Sequence, residues 1–467
     1  MDQTPTPQEP TADPPKARQP SAKGRRGKPA AGKTTKKKAK ATSTKKTSAK
    51  KKTADSSPVA KRKSSPASPT CAPEQAPDPS PDPVLTAAAP PDADQPAGAP
   101  DAEAKQEKDP PGPEPLRSVH TPNFRQILAE GRISLFVTTY QAGRLVIFRA
   151  DHETLNTHFR NFVNPMGLAI DRNRMAIGAG MNLWEFHNAP EVGRRLEPAG
   201  RHDACYLPRS CHVTGNIFVH EMAWAGDELW FVNTRFSCLC TRDVLHSFVP
   251  RWRPPFVSAL APEDRCHLNG LAMVDGQPRY VTALGRSDEM KGWRPDKATG
   301  GIVMEVPSGE ILAEGLSMPH SPRWYDGRLW VLDSGSGGVG TVDLSTGSYQ
   351  SIAELPGFTR GLDFHGPLAF VGLSQVRETA VFSGIPITER DTPRTCGVWV
   401  LDIRNGQTVA FLRFEEAVQE IFAVAVVPGV QFPELINDDH RLLADSFVLP
   451  EQSMDDVIPS IRYPVRQ

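Results

Sequence analysis

MPHSPRWYDGRLWVLDSGSG, residues 318–337, reads as strand, tight turn, strand. His320-Ser321-Pro322 open it, Arg323-Trp324-Tyr325 begin the first strand, and Asp326-Gly327 make the turn. Residues 329–332 form the second strand, which Gly335, Gly337 and Gly338 end. An Asp-Gly pair between two β-rich runs is a strong hairpin signal, because both residues tolerate the backbone such turns need. The pattern recurs. Comparable first strands are MGLAID from Met166, HEMAW from His220, NGLAM from Asn269, TRGLDF from Thr359 and EIFAV from Glu420. Second strands follow at 174–177, 228–232, 279–282, 328–332 and 368–371. The starts, near 166, 221, 269, 320, 360 and 420, are 55, 48, 51, 40 and 60 residues apart. Self-similarity at this period, with several strands per unit, is the signature of a β-propeller. Six anchors predict an all-β, six-bladed ring.

The ring occupies only part of the chain. Residues 1–63 hold 19 Lys and Arg against 4 Asp and Glu, 64–116 hold 2 against 10, and 117–467 hold 33 against 40. The formal net charge of zero therefore averages +15, −8 and −7. Prolines crowd into the first 116 positions, where aromatic and β-branched residues are sparse. Such a stretch buries too little apolar area to offset its ordering entropy. The expected organisation is a disordered basic arm (1–63), a disordered acidic Pro-rich linker (64–116), a propeller (117–435) and a C-terminal surface tail (436–467). A flexible polycation binds phosphate backbones by counterion release, so residues 16–63 are assigned nucleic acid or another polyanion as partner. The longest apolar run of the core, 421–427, is too short to span a bilayer. Residues 1–20 contain no apolar segment of a secretory signal. The seven cysteines then read as thiols, and the cytoplasm is the expected compartment.

Within 117–467, residues 124–128 read as a short helical turn, and 133–140 with 144–148 as a hairpin followed by a strand at 157–162. Residues 423–427 are the expected partner of that hairpin, because a propeller closes its ring by pairing strands from both chain ends. Long irregular insertions are expected between 182 and 216, at 242–266 and at 287–301. The last two carry Arg251-Trp252-Arg253-Pro254 and Gly292-Trp293-Arg294-Pro295. Loops of this kind on a rigid ring are where binding usually resides.

The innermost strand of a propeller blade starts beside the central channel, so polar residues at the repeating anchors converge there. Glu221, Asn269, His320 and Glu420 form the expected metal set. Oxygen ligands favour calcium and imidazoles favour zinc or manganese, so the expected cofactor is one divalent cation of these three. Arg360, Ser321 and Asn164 are the expected ligand-binding residues, with Arg360 suited to a carboxylate or phosphate held bidentately. His320 and His220 are the expected catalytic bases. Plainer roles stand beside these: an ion pair between Glu221 and Arg360, a tight turn at Asn269-Gly270, and a strand cap at His320. Cys238-Leu239-Cys240 places both thiols on one strand face, as small buried apolar groups. The adjacent Cys211-His212 and Cys266-His267 point to opposite faces and do not make working dyads. G-x-S-x-G is absent from the sequence, and the Gly-rich run at 333–337, with no helical pattern after it, reads as a turn between strands.

HLNGLAMVDGQPRYVTALG, from His267, resembles the Asn-Gly-Leu strand-turn-strand of gluconolactonase-like and strictosidine-synthase-like six-bladed propellers. A longer stretch, about 120–435, resembles an uncharacterised bacterial family of conserved hypothetical proteins. CHVTGNIFVHEMAW, HLNGLA and MPHSPRWYDGRLWVLDSGSG carry that closer match. It implies a propeller and supplies no reaction. The lactonase-like resemblance implies a divalent metal held by Glu221 and Asn269, but its Asp base falls on His320-Ser321, where the carboxylate is missing. The expected function is a binding or scaffold module that holds a small molecule or protein at the channel mouth. The alternatives are a metal-dependent hydrolase or lactonase, and nucleic-acid association through the arm.

Overall fold

The computed structural model describes residues 116–376 and 382–458. The arm at 1–63 and the linker at 64–116, apart from Leu116, lie outside the described residues. Six sheets of four or five strands, antiparallel apart from one edge strand, form the six blades of a propeller. Their inner strands, from blade one to blade six, are Ala423–Pro428, Pro165–Ile170, Val219–Ala225, Leu268–Val274, Pro319–Tyr325 and Phe358–His365. The C-terminal strand thus opens the first blade, pairing with Ile133–Thr139 from Ile133↔Pro428 to Thr138↔Ala423.

The strands are apolar on both faces because each blade is buried on both sides. Along Ile133–Thr139, Leu135 and Val137 pack with Val398 and Val400 of blade six, whereas Phe136 packs with Ile177 and Tyr206 of blade two. Period-two alternation therefore feeds two seams rather than a core and a solvent face. Corresponding clusters fill the seams between blades two and three, three and four, four and five, and five and six. The helix Pro122–Gly131, with proline in its first turn, lays Phe124 and Leu128 into the seam between blades six and one.

Two local devices recur at the inner strands. In blades two to six the pairing register shifts between Pro165 and Leu168, Val219 and Met222, Leu268 and Gly270, His320 and Arg323, and Thr359 and Leu362. Each shift falls at the anchor read from sequence. A bulge of this kind re-aims side chains, which lets successive residues such as His220 and Glu221 both be buried around the axis. In blades two to five, the residue just before the inner strand is left-handed: Asn164, Phe218, His267 and Met318 have φ of 46°, 54°, 50° and 49°. Such backbones are uncommon outside Gly and Asn, and cluster at functional sites.

The segment between 182 and 216 differs from expectation. It holds the strands Asn182–Asn188 and Ala204–Val213 and a short helix, Pro190–Gly193, between them. Val249–Trp252 is likewise an outer strand, so Arg251 and Trp252 belong to blade three itself. Pro433–Leu435 pairs in parallel with Ala204–Val213 as a fifth strand of blade two. Ser118–His120 is the fifth strand of blade six. All six described cysteines are free, and Cys238 and Cys240 lie buried with sulfurs 3.4 Å apart. Among the described residues no helix is long and apolar enough to cross a membrane.

Candidate functional site at the channel mouth

An antiparallel meander brings the loops between second and third strands to the same end as the starts of the inner strands. The long connection 284–300 lies there, and so do residues 375–376 and 382–396. Of these, Leu284, Trp293, Val376, Ile385 and Ile387 form one apolar cluster with Met318 and Phe358, a partial roof over blades four to six. Trp293, in one of the loops read as a place for binding, is buried in that roof.

Beneath it three imidazoles meet. The rings of His220 and His267 are 4.9 Å apart, edge to face, and His220 is also 4.9 Å from Phe422. His267 is 4.7 Å from Trp293, and His320 is 5.5 Å from Phe358. Every Nδ1 has a fixed acceptor. That of His220 donates to the Phe218 carbonyl at 3.1 Å, and that of His320 to the Met318 carbonyl at 2.8 Å. His267 Nδ1 donates to the Asp264 carboxylate at 2.8 Å, and Trp293 Nε1 holds the same carboxylate at 3.1 Å. Carbonyls and carboxylates only accept, so each Nδ1 carries a proton, and in a neutral ring so held Nε2 is the acceptor. The buried polar atoms without a partner among the described residues include Arg360 Nε but none of the three Nε2 atoms. Among the described residues none of the three Nε2 atoms has a hydrogen-bond partner.

The left-handed residues explain this order. Phe218 and Met318 turn their carbonyls back toward the imidazole two positions on. Burial, then His267 and Arg360, holds His220 well below the usual imidazole range; burial, then Arg360 and His267, does the same for His320.

Arg360 is buried beside them. Its guanidinium lies 3.5 Å over the Phe422 ring and donates to Glu420 at 3.1 Å. Burial lowers it to about 10, against the opposing pull of Glu420. Burial raises Glu420, and Arg360 counters it. A cavity of about 80 Å³ adjoins the pair, lined by Gln141, Phe358, Ser374, Phe382, Gln419 and Glu420. It has room for several water-sized groups.

The other anchor residues are engaged elsewhere. Glu221 pairs with Arg323 at 2.9 Å rather than with Arg360; burial raises the Glu221 carboxyl against that pairing. Asn269 makes no turn: it accepts from Thr282 at 2.6 Å and donates to the Pro319 carbonyl at 3.0 Å, bracing blade four on blade five. Ser321 Oγ accepts from the Gly361 amide at 3.0 Å and braces blade five on blade six. Asn164 is exposed at the start of blade two. Glu221, Asn269, His320 and Glu420 thus turn to four different partners. Among the described residues no three His, Cys, Asp or Glu side chains gather closely enough to hold a metal ion. Sequence reading passed over Asp264, His267 as a site residue, and Phe422. The Asp264-Arg-Cys-His267 spacing was the available signal for the first two.

Fold and axis define a six-bladed propeller with a polar, histidine-lined mouth. The model of a domain of unknown function, DUF4915, matches residues 122–436, and the chain belongs to that family. No curated protein matches. Among solved structures, a chain of a nidogen/laminin complex is 10% identical, covering 64% of this chain and 99% of that one, with a TM-score of 0.41. A protein of unknown function from Bacteroides caccae is 10% identical, covering 63% and 98%, with a TM-score of 0.40. The computationally designed Ika8 protein is 14% identical, covering 62% and 78%, with a TM-score of 0.30.

Proposed function

We propose that this protein is a binding module whose channel mouth holds a small anion bearing hydroxyl or amine groups. The observation that carries the reading is the set of three fixed imidazoles presenting Nε2 lone pairs beside a buried guanidinium. Lone pairs accept from O–H or N–H groups, and Arg360, with its Nε lacking a partner, suits a carboxylate or phosphate. Burial first keeps His220 and His320 from protonating, and the Arg360 charge that adds to it repels a cation and attracts an anion. This favours an anion over the divalent cation expected from sequence. Six free thiols accord with the cytoplasm, a reducing compartment.

The test is calorimetric titration of the full chain with glycolate, malate, citrate and phosphate, acetate serving as the control without a donor. Hydroxycarboxylates bind more tightly than acetate, and Arg360→Lys weakens them about tenfold or more, because an ammonium lacks the planar fork. Equal affinity for acetate and glycolate, unchanged in Arg360→Lys, would sink the reading.

A further inference from the structure

We infer that His267, oriented by Asp264, is a general base that hydrolyses esters whose acyl part carries a free carboxylate for Arg360. The inference rests on the anion-binding reading above and adds chemistry to it. His267 differs from its two neighbours in what holds it. His220 and His320 lean on backbone carbonyls, whereas His267 leans on a carboxylate that Trp293 fixes from the far side. A carboxylate both orients an imidazole and stabilises the imidazolium that forms when Nε2 takes a proton. The backbone supports the same arrangement, since Asp264 and His267 are both left-handed, with φ of 52° and 50°. His267 is also the most open of the three: its side chain is 18% exposed, while His220 and His320 are buried.

The step balances without a cofactor. His267 Nε2 takes a proton from water as the water oxygen bonds to the ester carbonyl carbon, and the carbonyl π pair moves to oxygen. The positive field of Arg360 favours that oxyanion. Its collapse breaks the bond to the leaving oxygen, which takes the proton back from the imidazolium. The products are a carboxylic acid and an alcohol. Asp264 and Trp293 are positioning residues here, because neither touches the substrate.

The probe is the mono-4-nitrophenyl ester of malate, with malate binding followed in parallel by calorimetry on the full chain. His267→Asn retains a residue that tolerates the left-handed backbone, and it lowers kcat about a hundredfold or more. Asp264→Asn lowers kcat about tenfold or more and leaves KM within about twofold, a split that a merely structural role would not give. Arg360→Lys raises KM instead. If malate binds and wild type hydrolyses the ester no faster than His267→Asn, the base is refuted and the binding reading stands. If malate does not bind and hydrolysis does not depend on His267, both fall.

Discussion

At the scale of single residues, the mouth shows how a costly backbone is used. A left-handed Phe or Met is worse than an extended one by about 1–2 kcal/mol. In return, the Phe218 and Met318 carbonyls meet His220 and His320, and the imidazoles are set before any ligand arrives. Their burial has a consequence for stability. His320 is held well below 6.5 in the fold, by burial first and then by Arg360 and His267, while the unfolded chain titrates near that value. Below 6.5 the unfolded chain takes up a proton that the folded one refuses, so stability falls with pH there and is unaffected above it. His320→Gln should make the fall in Tm between about pH 7 and about pH 5 shallower, with His220 supplying the remainder. Parallel Tm profiles for the two chains would show that His320 is protonated in the fold.

At the scale of elements, the inner-strand bulges set the spacing between blades. Gly270 lies in one. A Cβ there would stand 2.2 Å from Pro322 Cδ on blade five and 2.3 Å from Thr282 Oγ1, a hydroxyl already committed to Asn269. Neither neighbour has room to yield, so Gly270→Ala should cost about 1–3 kcal/mol in urea unfolding. An unchanged midpoint would mean that the blades are not in close contact at this point. The same bulges mark the limit of what the sequence revealed. Period-two runs and Asp-Gly turns placed five of the inner strands within about two residues, because alternation and turn chemistry are local. The sixth begins at Ala423, three residues past the Glu420 anchor. Which neighbour each anchor side chain meets was hidden, since a one-residue shift becomes visible only once strands are paired. Asn269-Gly270 read as a turn for this reason, and Glu221 was set against Arg360 instead of Arg323. Asp264 was passed over because its partner is three residues away and its role depends on Trp293, brought in by a separate loop.

At the scale of the whole molecule, the chain ends fasten three consecutive blades. Ser118–His120 joins blade six, Ala423–Pro428 opens blade one, and Pro433–Leu435 edges blade two. Glu434 anchors the last of these. It meets Arg160 at 2.8 Å and Arg149 at 3.8 Å, and His158 approaches to 2.7 Å as a charge contact outside hydrogen-bond alignment. Phe432 lies between the guanidinium groups of Arg149 and Arg201, 4.0 and 4.1 Å from its ring centre. Burial pushes the Glu434 carboxyl up, but His158, then Arg160 and the Leu435 amide, outweigh it and hold it at about 2 against an ordinary 4.5. The stabilisation is present above 4.5 and lost as pH falls toward 2. Thermal unfolding of Glu434→Gln should therefore lie below wild type near neutral pH and converge on it across that window. A gap that stayed constant to pH 2 would assign the loss to packing rather than charge.

The two-ended fastening also fixes an order of events. During synthesis, the hairpin of blade one leaves the ribosome early, yet its inner strand is some 290 residues away, at Ala423↔Thr138. Blades three, four and five each close on contiguous sequence, so they can form while the chain is still growing. Until the final strand arrives, blade one presents an unpaired edge with Phe136 and Val137 beside it, open to any other strand in reach. The nascent chain is therefore vulnerable to mispairing until residues 423–428 have emerged.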